Sequence, residues 1–394
     1  MAYANLYRPD RLFLPQQKLA AFARTVPTPF YLYHGEGIRK SARLIRASFD
    51  WAPEHRAWYP LSANGCSAIA SIFREEGFGA LARSVPELEA ARRYGFSEIA
   101  FHTAAMTAAA AQAAGQGDCT VIFDSPAQIC AMESFLPWRC ALRYHPDREP
   151  GRSAAASSRH KSGMDAEQIL AAARTLREAG VEALGLHCHL GCGREEHYPA
   201  VAAMLFALAK EIARSGIRFD FIDLGGGVGV RSETDGAVIQ LSRVGAIVRD
   251  AYAAAFDGQL RPAIVTELGR CAVARHGLLI SRVAEVRERG RSYAILDMST
   301  AQLPDLLLGG GRHAISVVGS CARTGRRVYS VHGCSPDARE LICDRAILPA
   351  LSPGTLVAIH STGAYCESQQ LSRCMTPPCG SYLYTETGEF VPTA

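Results

Sequence analysis

Short apolar segments alternate with longer amphipathic segments along residues 30–275, and this alternation constrains the fold more than any other feature. Short apolar runs between turn residues predict buried strands, and the longer runs carry apolar residues at helical spacing. About eight strand–helix units in succession favour a closed barrel of parallel strands. The predicted strands are Phe30–Tyr33, Ala57–Leu61, Glu98–Phe101, Thr120–Phe123, Cys140–Tyr144, Ala183–His187, Phe219–Leu224 and Ala263–Glu267. The predicted helices are Ser67–Glu76, Val85–Tyr94, Asp165–Ala179, Tyr198–Ser215 and Ser242–Phe256.

The pattern changes near residue 276, where strand-like segments follow one another without a long helix between them. Gly, Pro and Asp turns separate these segments, as is typical of antiparallel sheets. The sequence therefore predicts an α/β fold, with a (β/α)8 barrel over 30–275 and an antiparallel β domain formed by 276–394 with 1–29. The predicted strands of this second domain are Leu278–Arg287, Ser292–Leu296, His313–Val318, Arg327–His332 and Thr355–His360.

The charge of the chain argues against a nucleic-acid or membrane partner. The 394 residues carry a net charge of +4, and no long run of one sign occurs. No apolar segment is long enough to span a bilayer, and Met1–Gln17 lacks the apolar core of a signal peptide. We therefore expect a cytoplasmic protein whose 13 cysteines, an odd number, are reduced.

Two glycine-containing segments follow predicted strands, at the end of a parallel barrel where active sites lie. Gly225, Gly226 and Gly227 follow Ile222–Leu224, and backbone N–H groups of such a loop bind phosphate well. A tight turn would also explain three glycines. Glu267 ends the next strand and is followed by Gly269 and Arg270. These residues could bind a protonated ring nitrogen and a phosphate, or could form a surface salt bridge.

His187 and His189 end another predicted strand, and strand alternation places both side chains on one face. A histidine in this position could stack on a planar cofactor, and the two could ligate zinc together with Cys192. No carboxylate or water-activating motif accompanies them in the local sequence. Cys334 and Tyr365, which follow or lie within strands of the second domain, would by themselves be structural.

Taken together and in this order, the segments resemble the alanine-racemase-like, fold-type III decarboxylases that use pyridoxal phosphate (PLP). That family includes diaminopimelate, ornithine and siderophore-pathway decarboxylases. The resemblance extends from Thr28 to about Pro392. The segments that carry it, besides those above, are Pro27–Tyr33, Tyr59–Asn64, Arg83–Leu88, Lys161–Met164 and Gly363–Tyr365.

The resemblance implies a PLP pocket without a metal, in which His189 faces the cofactor ring and Glu267 binds the pyridine nitrogen. It implies a phosphate site made by Gly225–Gly227, Gly269, Arg270 and Tyr365, with Cys192 in place of a family serine. It also implies an amino-acid ligand and a homodimer with shared active sites, in which Cys334 reaches the partner's pocket. Ser62, His189 and Cys334 are then the expected catalytic positions.

The departures from the family pattern concern the reaction itself. The lysine that binds PLP in the family corresponds to Ser62, and a hydroxyl cannot form the imine. PLP binding is therefore expected to be weak or absent. An aspartate after the next strand is replaced by Leu81 or Ala80, which favours natural divergence over a single engineered change. Of the four lysines in the chain, Lys161 alone lies in a loop that the family places near the active-site entrance.

Two positions of the expected substrate site also differ from diaminopimelate decarboxylases. Asp305 replaces an arginine that binds the distal carboxylate, and Ser335 replaces a glutamate. These two replacements argue against diaminopimelate as the substrate, and Asp337 is a third residue expected at the substrate site. Three hypotheses remain: a diverged decarboxylase that acts on or binds a PLP-linked basic or polar amino acid, a catalytically inactive binding or regulatory protein of the same fold, and a zinc protein.

Overall fold

The computed structural model describes residues 12–116, 119–146, 161–189, 197–230, 240–256, 258–308, 312–319, 325–372 and 377–393. The chain divides into two compact units. One contains Arg39–Gly65 and Ala70–Ala272, and is called the barrel unit below. The other, the sheet unit, contains Met1–Ile38, Cys66–Ile69 and Val273–Ala394.

Eight parallel strands close into a barrel, which confirms the predicted fold class. Each strand pairs with the next in chain order, and the last pairs with the first. The strands of the barrel are β2 (His55–Pro60), β3 (Gly79–Ala82), β4 (Ile99–His102), β5 (Thr120–Phe123), β6 (Arg139–Arg143), β7 (Ala183–His187), β8 (Phe221–Asp223) and β9 (Ala263–Thr266).

Apolar side chains from alternate strand positions fill the barrel. The Trp58 and Phe221 rings meet edge to face, with centroids 6.3 Å apart. Gly185 makes room for this packing, because a Cβ atom there would lie 2.2 Å from the Phe221 ring. The barrel is therefore a packed core that leaves only its ends available for a site.

Helices follow most strands, and several begin at capping residues. The Ser84 side chain accepts a hydrogen bond from the Glu87 amide, and Asp165 with Gln168 forms a capping box. The helices are α1 (Gln16–Phe22), α2 (Gly35–Ser48), α3 (Ser67–Glu75), α4 (Val85–Arg93), α5 (Ala108–Gly115), α6 (Pro126–Ala131), α7 (Ala166–Glu178), α8 (His197–Ala213), α9 (Leu241–Ala255), α10 (Arg270–Val273) and α11 (Asp305–Leu308). Within the described residues, none of them is long and apolar enough to cross a membrane.

Among its described residues, the sheet unit contains nine strands, most of them paired in antiparallel fashion as predicted. Two pairings, β1 with β16 and β11 with β13, are parallel. The strands are β1 (Phe30–His34), β10 (Gly277–Glu288), β11 (Ser292–Leu296), β12 (Ile315–Val317), β13 (Arg326–His332), β14 (Leu341–Pro349), β15 (Leu356–His360), β16 (Gly380–Tyr384) and β17 (Phe390–Pro392).

One prediction about the barrel strands was wrong, and one barrel strand was missing from the predicted set. Phe30–Tyr33 was expected to open the barrel from residue 30, yet β1 pairs with β10 and β16 in the sheet unit. All four residues are buried, so their pattern predicts a strand but not the sheet that it joins. The barrel begins instead at β2, and the strand missing from the predicted set is β3, whose four small or aliphatic residues gave no clear strand signal.

Candidate functional site

The polar residues that end the barrel strands lie at one rim, because all eight strands run in the same direction. Ser62 follows β2, Arg83 follows β3, and Glu267 follows β9 directly. The other polar or glycine positions at this rim are His102 (β4), Asp124 (β5), Arg143 (β6), His187 and His189 (β7), and Asp223 and Gly225–Gly227 (β8).

Glu267 lies between two histidines, and its side chain is only 1% exposed. Its Oε2 atom lies 3.0 Å from Nδ1 of His189, and its Oε1 atom lies 3.5 Å from Nε2 of His187. Burial by itself would raise the pKa of Glu267, but His187 and His189 hold it well below the usual value. Burial also lowers the pKa of His187 to about 4, so this imidazole is neutral at pH 7. The site therefore presents a buried, ionised carboxylate.

The Nδ1 atom of His189 also lies 3.2 Å from the backbone nitrogen of Gly226. One ring nitrogen cannot accept a hydrogen bond from the Gly226 amide and donate one to Glu267 at the same time. Because Glu267 is ionised, we assign a proton to Nδ1 of His189, and this N–H group donates a hydrogen bond to the carboxylate.

The loop Gly225–Gly227, called the glycine loop below, packs too closely against neighbouring backbone to admit a side chain at Gly225 or Gly226. Gly225 has φ of +64°, and a Cβ atom on it would lie 2.4 Å from the carbonyl oxygen of Cys188. A Cβ atom on Gly226 would lie 2.4 Å from the carbonyl oxygen of Glu267. The Gly225 amide donates to Oδ1 of Asp223 at 2.8 Å. Burial and the charge of Glu267 raise the pKa of Asp223 well above its usual value, so Asp223 is the protonated member of this carboxyl pair.

His187, His189 and Glu267 each offer one ligand atom within 4.8 Å of the others, so they could also hold a metal ion. The local sequence shows no carboxylate beside the two histidines, because Glu267, which approaches them in the folded barrel, is 78 residues from His189 along the chain. Cys192, the third expected zinc ligand and phosphate-side residue, lies outside the described residues. In the sheet unit, Asp305, His313 and Cys366 form a second group with this spacing.

Ser62 is half-buried, two residues after the end of β2. All four lysines of the chain are exposed: Lys18, Lys40, Lys161 and Lys210. Lys161 precedes Ser162, a buried residue whose side chain hydrogen-bonds to Asp124 at the rim. The position of the family lysine therefore carries a hydroxyl in Ser62, and none of the four lysines is buried where it could supply the missing amine.

Arg143, Asp124 and His102 form a buried cluster that sequence reasoning missed. Oδ1 of Asp124 lies 3.1 Å from Nη1 of Arg143 and 3.2 Å from Nε2 of His102. Burial alone would raise the pKa of Asp124, but His102 and Arg143 lower it to about 2. The available signal was positional, since each of the three residues ends a barrel strand or follows it directly.

The remaining predicted residues lie as follows. Arg270 begins the short helix α10 directly after Gly269. Tyr365 has φ of +58°, a left-handed conformation that is uncommon for a tyrosine. Asp305 is buried with Oδ2 3.6 Å from Nε2 of His313, and Cys334 is exposed. Asp337 forms an exposed ion pair with Arg339 at 2.9 Å, and the Asp337 amide lies 3.4 Å from the Ser335 hydroxyl.

Known proteins share this architecture along nearly the whole chain. The chain is 27% identical over 354 residues to Protein TabA of Pseudomonas amygdali pv. tabaci, covering 88% of this chain and 83% of TabA. It is 27% identical over 380 residues to a diaminopimelate decarboxylase of Deinococcus radiodurans, covering 94% of each. The crystal structure of a diaminopimelate decarboxylase from M. jannaschi superimposes with a TM-score of 0.88, at 19% identity, covering 95% of this chain and 90% of that one.

A family model described as the pyridoxal-binding domain of pyridoxal-dependent decarboxylases matches residues 36–274. That range contains all eight barrel strands and every rim residue named above. Since the match spans more than half of the sequence, the chain belongs to the family of fold-type III, pyridoxal-dependent decarboxylases.

Proposed function

We propose that this protein binds PLP linked to a basic or polar amino acid, as a diverged member of its decarboxylase family. The observation that carries the proposal is the combination of an intact Glu267–His189 pair with Ser62 and four exposed lysines. The chain retains groups that suit the cofactor's ring and phosphate, but it has no buried amine for a covalent link.

The buried rim residues fit PLP in two respects. Glu267, held ionised, suits a protonated pyridine nitrogen, and His189 beside it suits the ring face. The loop Gly225–Gly227, in which a side chain would clash, suits a phosphate together with Arg270. When bound, PLP would supply the electron sink for loss of carbon dioxide. For Gly269, Tyr365, Cys192, Asp305, Ser335 and Asp337, the cofactor and substrate roles rest on the family resemblance.

Two steps of this proposal depend on the protein's own residues. The Nδ1–H group of His189 donates a hydrogen bond to Glu267 and so orients the carboxylate, while Asp223 keeps its proton and does not compete for the cation. The buried rim limits access of water to these groups, which strengthens each charge-assisted hydrogen bond. Ser62 would contribute only a hydroxyl near the ligand.

A second candidate is a catalytically inactive binding or regulatory protein of the same fold. The replacement of the lysine by Ser62 and of the neighbouring aspartate by Leu81 or Ala80 favours it. Release of carbon dioxide and amine from a panel of amino acids in the presence of PLP would support the first candidate. Tight binding of ligand without any release would support the second.

The experiment that tests PLP binding is an absorbance titration of the purified protein, followed by dialysis. We expect PLP alone to be removed by dialysis, and the borohydride-reduced conjugate of PLP with L-ornithine to be retained. Failure of this conjugate to bind would refute the proposed function. PLP that borohydride attaches to Lys161, identified by peptide mass spectrometry, would instead assign the link to that loop lysine.

We also propose that the protein is a cytoplasmic homodimer. The family resemblance and the exposed Cys334 support an active site shared between two copies. Sedimentation velocity at micromolar concentration should give a mass of about twice the monomer, as expected for closed two-fold assemblies. A monomer at all concentrations tested would contradict this proposal.

A further inference from the structure

The barrel rim contains a cavity of about 190 Å³ on the side of β3, β4, β6 and β7. In the closed strand order, the arc from β3 to β6 faces β8 and β9 across the barrel. The cavity therefore lies on the other side of His189 from the glycine loop after β8, and His189 contacts both. Its lining residues are Arg83, His102, Thr103, Ala104, Arg143 and His189.

Arg143 is held in place and largely neutralised by its neighbours. Nη1 bonds Asp124 at 3.1 Å, and Nη2 donates to the carbonyl oxygen of His189 at 3.3 Å. The ionised Asp124 is the counter-ion of this guanidinium. Arg143 is thus a fixed lining residue of the cavity, and the positive charge that is not neutralised comes from Arg83.

Arg83 has no comparable partner. Its backbone amide donates to Oε2 of Glu87 at 2.7 Å, which fixes where the side chain starts. The side chain forms neither a hydrogen bond nor an ion pair with any residue that the structure describes, and its Nε is buried. A buried donor without an acceptor is costly, and a guanidinium matches the two oxygens of a carboxylate.

We propose that Arg83, supported by Arg143, is a carboxylate-binding residue that holds the α-carboxylate of the amino-acid ligand. This inference rests on the proposed function and names the group that the cavity recognises.

Two borohydride-reduced PLP conjugates test this directly with the full-length protein. The conjugate of L-ornithine through its α-amine and the conjugate of putrescine are identical except for the carboxylate. We expect the wild-type protein to bind the ornithine conjugate about tenfold more tightly or better, the effect of a charge-assisted hydrogen bond. Arg83→Gln should remove that difference and leave the affinity for the putrescine conjugate unchanged. Arg249→Gln, at an arginine of α9 that is 54% exposed, is the matched control.

Four results would overturn the inference. Equal affinities of wild-type protein for the two conjugates would show that the carboxylate is not recognised, while the proposed function would stand. An equal loss of both affinities in Arg83→Gln, or Arg83-dependent competition by inorganic phosphate but not by acetate, would assign Arg83 to the phosphate. If neither conjugate binds, the proposed function fails and this inference fails with it.

Discussion

The Nδ1 atom of His189 lies 3.0 Å from Oε2 of Glu267, which joins the ends of β7 and β9 across the intervening strand. With the proton on Nδ1, the imidazole donates this hydrogen bond to the carboxylate. Together with His187, it holds the pKa of Glu267 well below its usual value although the carboxylate is buried. The rim therefore offers a buried negative charge to a cation.

Restoring a lysine at position 62 should restore a covalent link to PLP. Ser62 follows β2 at the rim, so a lysine there would extend from the same strand end as the family's lysine. Ser62→Lys should retain PLP through dialysis, and borohydride followed by mass spectrometry should locate the cofactor on residue 62. Ser62→Ala, which adds no amine, should behave like the wild type. If Ser62→Lys is folded but remains unlabelled, the assignment of this position is wrong.

Removing the charge of Glu267 should weaken cofactor binding. A neutral amide cannot provide the charge-assisted bond to a pyridinium, so Glu267→Gln should lower the affinity for reduced PLP conjugates about tenfold or more. Fluorescence titration measures this, and circular dichroism checks the fold. Glu285→Gln, at an exposed glutamate paired with Arg287, should leave the affinity unchanged. An unchanged affinity in Glu267→Gln would exclude Glu267 from the ring site.

A methyl group in the glycine loop should disturb both packing and binding. The Cβ atom of Gly226→Ala would lie 2.4 Å from the Glu267 carbonyl oxygen, so the loop must shift. We expect about 1–3 kcal/mol of lost stability in urea unfolding, as for other overpacked sites, together with loss of conjugate binding. Gly380→Ala is the control, because its nearest contact would be 3.6 Å away. Full stability and binding in Gly226→Ala would contradict the described loop.

Stability should fall between pH 6.5 and pH 4 because of buried histidines. Burial lowers the pKa of His55 and of His187 from 6.5 to about 4, so between these values the unfolded chain binds more protons than the native one. Their contribution is therefore complete above pH 6.5 and is lost as the pH falls towards 4. At pH 5 each group should cost about 2 kcal/mol relative to pH 7.

Urea unfolding at pH 7 and pH 5 measures this loss, and His55→Gln isolates one group. The difference in unfolding free energy between the two pH values should shrink by about 2 kcal/mol in that variant. A matched variant of an exposed ion pair, Arg249→Gln, should show the wild-type difference. If the pH dependence of His55→Gln equals that of the wild type, His55 titrates normally in the native state.

The local pattern of the chain was enough to predict the barrel, the change near residue 276 and most strand positions. Alternation with a period of two or of 3.6 reports which residues are buried within one element. The order of short motifs, with Gly225–Gly227 and Glu267 after strands, then placed candidate residues at strand ends. These predictions need only information from residues close together in the chain.

Other features depend on which distant segments meet. Phe30–Tyr33 is a strand in either sheet, and only packing against β10 and β16 places it in the sheet unit. Similarly, the approach of His187 to Glu267, the Arg143–Asp124–His102 cluster and the buried Nε of Arg83 depend on barrel closure. Burial and proximity in space set these charges and hydrogen bonds, and the tertiary fold determines both, because residues far apart in sequence converge at the rim.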